Sequence, residues 1–255
     1  MPQSATAQTF TSLSDIARVT VLPGWRTETG RHMAGLRIEL ADGWKTYWRT
    51  PGETGIPPSL SWEGSENLAK ARLLWPAPIT FETSGFRSIG YQGVTVIPVE
   101  ITPDRAGPIT LRGRMEFGIC EEICIPMSVP LEAELPAGGR PDPEIRAGLS
   151  RQARPPAEAG ITTVRCVIEP TADGLRLTAR IALPRSEPVE AAVVELSDSS
   201  IWIATPETRR RGRTLTATTE LVPPSGQPFL LERSDIRITL IGGGKAVDIR
   251  GCPAG

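Results

Sequence analysis

The sequence predicts an all-β protein built as two consecutive β-sandwich domains, which a Pro/Gly-rich linker with a short helix connects. Short segments alternate apolar and polar residues with the period of a β-strand. Turn residues separate these segments at the spacing of a sandwich, and the 255-residue chain contains 25 glycines and 25 prolines spread along its length. A break in composition at 137–160 divides the series in two.

The first domain is predicted at 15–136, the linker at 137–160 and the second domain at 161–255. The linker carries a helical pattern at 143–153, with Asp142 as its N-cap and Pro143 at the first helical position. The predicted strands of the first domain lie at 17–22 (stopped by Pro23-Gly24), 35–40, 44–50, 60–62, 71–75, 93–102, 109–119 and from 124 to 131. Those of the second domain lie at 163–168, 175–183, 191–196, 201–204, 214–221, 229–231, 236–241 and 246–249.

Segment 79–92 has no clear period and carries three aromatic residues, which is unusual for a loop. It is predicted as a loop whose rings either plug the end of the core or form a lid over a site. Pro98, in the following strand, indicates an edge position or a bulge, because proline cannot donate to a strand ladder.

Charge and hydropathy exclude two classes of partner. The formal net charge is -1, from 28 basic and 29 acidic residues, so the concentrated basic surface of a nucleic-acid-binding protein is missing. No apolar run approaches the roughly 18–20 residues of a membrane span. We therefore expect neither nucleic-acid binding nor direct insertion of this chain into a membrane.

Two of the four cysteines, Cys120 and Cys124, flank the three-residue segment Glu121-Glu122-Ile123, a common length for a hairpin loop. Opposed residues of an antiparallel pair have Cα atoms about 4.5–5.5 Å apart, within disulfide range. Along each predicted strand, the cysteine occupies the alternating set of positions that carries polar residues. This placement predicts a pair near solvent. The two glutamates disfavour a thiolate beside them.

This pattern leaves three hypotheses open: a structural disulfide, a working redox pair, or a Cu(I) site. Two thiolates suit Cu(I), a soft ion, but a third ligand is missing nearby. His32 is the only histidine and lies far upstream, while Met115 and Met127 have core parity. We therefore assign no cofactor and no metal site.

The other two cysteines, Cys166 and Cys252, lie near the two ends of the second half, where a disulfide would tie its first strand to its last. Cys166 has the parity of the core, which favours a structural bond. Such a long loop would contribute about 4 kcal/mol in the chain-entropy model. This placement favours an oxidising compartment.

Several motifs resemble the N-terminal periplasmic domain of DsbD-type protein-disulfide reductases, most nearly the ScsB branch (suppressor of copper sensitivity). They lie at 42–52, 55–58, 74–78, 90–93 and 118–126, and the resemblance covers roughly 15–135. The second half, with Trp202 and the 246–252 segment, resembles the extra β-domain of ScsB-like proteins.

The resemblance implies immunoglobulin-like domains in a periplasmic thiol-disulfide oxidoreductase. The Cys120/Cys124 pair would take electrons from a thioredoxin-like donor domain and pass them to a periplasmic disulfide isomerase or thioredoxin-like substrate proteins. Cys124 would form the mixed disulfide and Cys120 would resolve it. Copper tolerance, through Cu(I) bound by the same two cysteines, is the alternative.

The resemblance also implies an aromatic cap that shields the pair. The candidates for the cap or the lining of the site are Tyr47, Trp48, Phe81, Glu82 and Phe86. The pair of the better-known DsbD proteins has a longer spacing than the three residues found here. The membrane and thioredoxin-like domains of the family are missing from this sequence, so it is either a soluble region tethered to a membrane domain or a stand-alone protein with a separate donor.

Overall fold

The computed structural model describes residues 12–83, 85–226 and 229–254, and antiparallel β-strands are the dominant secondary structure of these residues. They fall into two compact units. The first contains the described residues of Met1–Tyr47, Ile56–Leu74 and Tyr91–Ser150, and the second contains those of Trp48–Gly55, Trp75–Gly90 and Arg151–Gly255. The predicted all-β, immunoglobulin-like fold class is confirmed.

The described residues of the N-terminal part form a short helix and ten strands. They are α1 (Leu13–Ile16), β1 (Ala17–Arg26), β2 (His32–Leu40), β3 (Lys45–Gly52), β4 (Ser59–Ser61), β5 (Lys70–Leu73), β6 (Ile79–Thr83), β7 (Phe86–Gln92), β8 (Val94–Thr102), β9 (Ile109–Cys120) and β10 (Cys124–Leu135). The C-terminal part forms α2 (Pro143–Ser150), a 3₁₀ turn (Pro156–Ala159), β11 (Thr163–Pro170), β12 (Leu175–Ala182), β13 (Ala191–Glu195), β14 (Trp202–Ile203), β15 (Glu207–Arg211), β16 (Thr214–Val222), β17 (Arg237–Gly242) and β18 (Lys245–Arg250).

One sheet of the first unit has the order β1-β2-β8-β5. The prediction that Pro23-Gly24 stops the first strand is wrong, because β1 runs on to Arg26. The register with β2 shifts between Leu22 and Trp25, so a bulge absorbs the two residues. Gly24 has a φ of +65°, and a Cβ there would lie 1.8 Å from the Met33 carbonyl oxygen, so only glycine fits.

Strand β8 lies inside this sheet, between β2 and β5, so the predicted edge position of Pro98 is wrong. The ladder of β5 on β8 reaches only from Thr102 to Val99. Pro98 therefore stands just beyond that ladder, where its carbonyl still accepts a hydrogen bond from the Leu74 N–H. The missing N–H of the proline is tolerated because the neighbouring strand has already ended.

Helix α2 packs on the same sheet. Asp142 caps it as predicted, since its Oδ1 accepts hydrogen bonds from the N–H groups of Glu144 at 2.8 Å and Ile145 at 3.1 Å. Ile145 is fully buried in a cluster with Met33 and Val96. Gly35 in the sheet makes this close approach of the helix possible, because a Cβ at that position would lie 2.9 Å from Ile145 Cγ1.

The second sheet of the first unit contains the long hairpin of β9 and β10, which pair in register from Ile109↔Leu135 to Cys120↔Cys124. Strand β4 pairs with the middle of β9, and the start of β3 pairs with its end through Lys45↔Cys120 and Thr46↔Ile119. The end of β9 therefore has neighbours on both sides.

Segment 79–92, predicted as a loop, is not a loop. Strands β6 and β7 pair as a hairpin from Ile79↔Gly90 to Thr83↔Phe86, with Gly85 at a φ of +83° in the turn. The loop prediction is wrong because the aromatic residues interrupt the alternation on which the strand criterion depends. Cross-strand pairing supplies the order that the pattern did not reveal.

The C-terminal residues of the second unit form two sheets, β11-β12-β16-β14 with β15 on β16, and β13-β17-β18. Among the residues that the structure describes, their shared core contains buried side chains from Ala159 to Cys252. The Cys166–Cys252 disulfide joins β11 to the segment after β18, and both cysteines are buried, at 0% and 1% exposure. This disulfide therefore joins the first strand of the C-terminal part to the segment that follows its last strand.

The compact units cut across the predicted linear domains. Helix α2, predicted within the linker 137–160, belongs to the first unit, while Trp48–Gly55 and Trp75–Gly90, predicted within the first domain, belong to the second. The linear boundaries 15–136 and 161–255 stay a prediction. Within the described ranges, no helix has the length and apolar character needed to cross a membrane.

Candidate functional site

The end of the β9–β10 hairpin brings the first cysteine pair together. Twelve residue pairs in unbroken register set Cys120 opposite Cys124, with Glu121, Glu122 and Ile123 as the connecting loop. The two Cα atoms are 4.1 Å apart and the cysteines form a disulfide. The hairpin register therefore places the two cysteines directly opposite each other.

The two sulfur-bearing residues differ in exposure. Cys120 is buried, at 7% exposure, whereas Cys124 is exposed. The prediction that both lie near solvent is thus wrong for Cys120. The reason is that β3 pairs with the end of β9, so that Gly118, Ile119 and Cys120 are all buried and strand parity no longer decides exposure there.

The Tyr47 side chain contacts the pair. Its hydroxyl lies 3.2 Å from Cys124 Sγ, and because a disulfide sulfur has no proton, the hydroxyl is the donor. Gly118 provides the space: a Cβ there would lie 3.0 Å from Tyr47 Cε2 and 2.9 Å from Ile56 Cβ. The Thr46 hydroxyl donates to the Gly118 carbonyl at 2.8 Å and fixes β3 on β9.

Tyr47 remains a hydrogen-bond donor over a wide pH range. Its side chain is 3% exposed, and burial raises the pKa of the Tyr47 phenol above its ordinary value of 10.0. A protonated hydroxyl fixed beside one sulfur would stabilise negative charge that develops on that sulfur when the disulfide opens.

Residues 18–136 match the family model described as thiol:disulfide interchange protein DsbD, N-terminal. This segment is a DsbD-type N-terminal domain. One solved structure, the crystal structure of the N-terminal periplasmic domain of ScsB from Proteus mirabilis, matches with a TM-score of 0.66 and 20% identity, covering 94% of this chain and 92% of that chain. The comparison with curated protein sequences found no match.

The resemblance predicted from the motifs is thereby confirmed, both for the DsbD-type domain and for its likeness to ScsB. The ScsB domain extends the likeness in fold over the second half of the chain, which the family model does not cover. DsbD-type domains are thiol–disulfide redox modules, which supports an oxidoreductase role for residues 18–136 at that coarse level.

The other candidates for the cap lie in the second unit. Trp48 is 2% exposed, and the Arg49 guanidinium stacks 3.7 Å from its ring centroid. Phe81, Glu82 and Phe86 lie on the β6–β7 hairpin, where Phe86 is 51% exposed and Glu82 forms an ion pair with Arg87 at 3.4 Å. A role of these four residues as cap or lining of the DsbD-type site stays a prediction.

The sequence pattern did not identify two residues that lie beside Tyr47, Gly118 and Ile56. Gly118 precedes Cys120 by two positions, and its lack of a side chain makes room for the Tyr47 ring. Ile56 also lies against the backbone of Gly118. A glycine inside an otherwise regular strand is itself a signal of close approach by another group. That signal was present at Gly118 but did not reveal which side chain approaches.

The residues considered as copper ligands lie in the interior of the DsbD-type domain. Met115 and Met127 are buried, at 1% and 8% exposure. His32 is fully buried and its Nε2 donates to the Pro23 carbonyl at 2.5 Å; burial is the main cause that lowers the pKa of His32 below 6.5. The described part of the chain contains no group of three or more His, Cys, Asp or Glu residues arranged to hold a metal ion.

A first prediction concerns the Tyr47 hydroxyl. In the reduced protein, Tyr47→Phe is expected to shift formation of the Cys124 thiolate to higher pH and to slow its attack on a disulfide at neutral pH by about tenfold, because a hydrogen bond to a charged group is lost. Thiolate absorbance near 240 nm against pH, measured in a Cys120→Ser background, checks this. Tyr91→Phe, which alters the chain's other buried tyrosine, is the control; equal titration curves for Tyr47→Phe and the parent would contradict the prediction.

Proposed function

We propose that the chain is a periplasmic thiol–disulfide interchange module that carries electrons from a thioredoxin-like donor domain to disulfide-containing proteins through Cys120 and Cys124. The observation that carries the proposal is the asymmetry of the pair: one sulfur-bearing residue exposed beside a hydrogen-bond donor, the other buried behind it. The DsbD-type family of residues 18–136 supports the same chemistry.

Loading with electrons begins at Cys124, since an incoming thiolate reaches the exposed sulfur more readily than the buried one. The donor thiolate attacks Cys124 Sγ, the bond to Cys120 breaks, and Cys120 leaves with the electron pair as a thiolate. The second donor thiol then displaces Cys124. The donor is left with one disulfide, and the protein holds two thiols.

Delivery reverses these steps. The Cys124 thiolate, hydrogen-bonded by Tyr47, attacks a substrate disulfide and releases one substrate thiolate. Cys120 then attacks Cys124 Sγ, which restores the intramolecular bond and releases the second substrate thiol. A periplasmic disulfide isomerase or another thioredoxin-like protein is the substrate class that the DsbD-type resemblance implies.

The second disulfide has a structural role in this proposal. Cys166 and Cys252 are buried, and the backbone around them is held by two further bonds, from the Cys166 N–H to the Pro253 carbonyl at 2.7 Å and from Arg233 to the Cys166 carbonyl at 2.9 Å. A thiolate from a partner has no access to either sulfur without opening of the core.

Localisation in the periplasm is supported by the ScsB structure, whose described domain is periplasmic. Two disulfides also fit an oxidising compartment. Cu(I) binding by the reduced Cys120/Cys124 pair is the other hypothesis, since two thiolates suit this ion. Among the described residues, no group of three or more His, Cys, Asp or Glu residues is arranged to hold a metal ion, and we favour exchange because the two cysteines differ in exposure.

Capture of a partner tests the proposed function. Thioredoxin carrying thionitrobenzoate on its exposed cysteine is mixed with Cys120→Ser or with Cys124→Ser, and the release of thionitrobenzoate and the covalent product on a non-reducing gel are followed. Cys120→Ser is expected to form the mixed disulfide through Cys124 at least tenfold faster than Cys124→Ser does through the buried Cys120.

The double variant Cys120→Ser/Cys124→Ser is the control for non-specific release. Faster capture by Cys124→Ser would reverse the two roles. Capture by neither single variant, with thionitrobenzoate still released by free glutathione, would rule out exchange through this pair.

A further inference from the structure

The tip of the β9–β10 hairpin exposes an apolar side chain next to the reactive sulfur. Ile123, which directly precedes Cys124, is 74% exposed. Single exposed apolar residues are ordinary on a protein surface. This one differs because any partner that reaches Cys124 Sγ must also cover the residue bonded to it.

A second exposed isoleucine, Ile56, lies beside Tyr47. Ile56 is 37% exposed, and both its Cβ and the Tyr47 ring lie within 3.1 Å of the Cβ position of Gly118, so the two side chains are neighbours. Tyr47 in turn contacts Cys124. An unbroken series of contacts therefore leads from Ile56 through Tyr47 and Cys124 to Ile123.

The same tip is acidic. Glu121 and Glu122 are both exposed, and the Glu121 carboxylate lies over Gly43, where a Cβ would be 2.6 Å from Glu121 Oε1. An attacking thiolate is an anion, so two carboxylates within the same five-residue segment repel it. Basic side chains beside the partner's cysteine would offset this repulsion and attract the partner over a distance of about one Debye length.

We infer that the hairpin tip is a recognition surface for a partner protein whose reactive cysteine is flanked by basic side chains and by an apolar recess that receives Ile123. This inference rests on the proposed function and adds the chemistry of the partner to it. Ile123 and Ile56 provide the apolar contact beside Cys124, and Glu121 and Glu122 provide the complementary charge. Among partner thiols of equal intrinsic reactivity, those with basic and apolar flanking groups would therefore reduce the Cys120–Cys124 disulfide faster.

Single-cysteine peptides test the inference on the full chain. The first peptide flanks its cysteine with two arginines and a leucine, the second replaces the arginines with glutamates, and the third replaces the leucine with serine. Dithiothreitol serves as a small reductant without flanking groups. Each reduction of the Cys120–Cys124 bond consumes two peptide thiols and gives one disulfide-linked peptide pair and two protein thiols. Alkylation followed by mass spectrometry quantifies the thiols of Cys120 and Cys124.

Rates are compared per thiolate, since basic flanks also favour ionisation of the peptide thiol. The arginine–leucine peptide is expected to reduce Cys120–Cys124 about tenfold faster than the glutamate peptide at low ionic strength, with the difference lost near 1 M salt. Glu121→Gln/Glu122→Gln is expected to remove most of this preference.

Ile123→Ser is expected to slow the arginine–leucine peptide about fivefold and to leave the serine peptide and dithiothreitol unchanged, because only the leucine peptide loses an apolar contact. Val94→Ser, which removes a 51% exposed apolar side chain from β8 of the same unit, is the matched control. Equal per-thiolate rates for all three peptides, unaltered by Ile123→Ser, would overturn the recognition surface while leaving exchange intact. Failure of dithiothreitol and of every peptide to open Cys120–Cys124 would overturn the proposed function together with the surface.

Discussion

Replacing both Cys166 and Cys252 with alanine is expected to lower the free energy of unfolding of the second unit by about 4 kcal/mol. The bond closes a segment with a sequence separation of 86 residues, so its removal frees a long loop in the unfolded chain. It also joins β11 to the end of the chain across a core in which both cysteines are buried. Urea denaturation, with hydrogen exchange of amides in β12 and β16 as the local probe, measures this change.

The matched control is Cys120→Ala/Cys124→Ala, which removes a disulfide with a sequence separation of 4. In the chain-entropy model such a short loop contributes about 2 kcal/mol, roughly half of the other bond. Equal losses of stability for the two double variants, or a larger loss for the Cys120/Cys124 variant, would contradict the division into one structural and one working disulfide.

The second large effect is expected at Glu195, the centre of a charge network in the second unit. Arg49 donates two hydrogen bonds to its carboxylate, each at 2.8 Å, and the Thr50 hydroxyl donates a third at 2.8 Å. Arg237 lies 3.9 Å away and also pairs with Asp248. Glu195→Ala removes the carboxylate that pairs with the Arg49 guanidinium, which is only 19% exposed. This change is expected to lower the free energy of unfolding by about 3 kcal/mol.

The Glu195 network also predicts a pH dependence. Burial alone would raise the pKa of Glu195, but the hydrogen bonds and charge of Arg49, with Thr50 and Arg237, outweigh it and hold that pKa below its ordinary value of 4.5. Because the folded state binds the proton more weakly than the unfolded state, the stabilisation is complete well above pH 4.5 and is lost as the pH falls through the lower, folded-state pKa.

Denaturation of the parent and of Glu195→Gln between pH 3 and pH 7 checks this sign, with the difference between them expected to shrink as the pH falls. Glu207→Gln is the control, since the Glu207–Arg209 pair of the same unit is 80% and 82% exposed and is expected to contribute nothing measurable. A difference at Glu195 that stays constant over this range would show that its charge does not stabilise the folded state.

The cysteine hairpin was predictable because its information is local. Alternation fixed the two strands, and a three-residue loop between them set Cys120 opposite Cys124 in the register that the structure has. The capping of α2 by Asp142 was predictable for the same reason, since an N-cap acts on the next two or three residues. Motifs of the DsbD type then supplied the chemistry that geometry alone left open.

Features that depend on neighbouring strands were not predictable from the pattern. Burial of Cys120 follows from the pairing of Lys45 with it, across 75 positions of sequence, and no local rule reveals that pairing. Arg49 and Glu195 lie 146 positions apart and have equally ordinary local patterns. The Tyr47 hydroxyl lies 3.2 Å from Cys124 Sγ, across 77 positions of sequence, and no local rule distinguishes Tyr47 from the adjacent Trp48 in this respect.

The asymmetry of the Cys120–Cys124 pair connects the fold to the proposed chemistry. Pairing of β3 buries one cysteine, the hairpin turn exposes the other, and the tyrosine of β3 reaches the exposed sulfur. Cys166 and Cys252, by contrast, lie inside a core with both sulfur-bearing residues covered. The chain thus holds two disulfides whose surroundings predict opposite responses to an external thiol.

Stepwise reduction of the native chain tests this contrast most directly. The protein is treated with increasing dithiothreitol without denaturant, the free thiols are alkylated, and the modified cysteines are identified by mass spectrometry. We expect Cys120 and Cys124 to become fully alkylated while Cys166 and Cys252 stay bonded until the second unit unfolds. A Cys120–Cys124 bond that resists reduction as strongly as Cys166–Cys252 would contradict it.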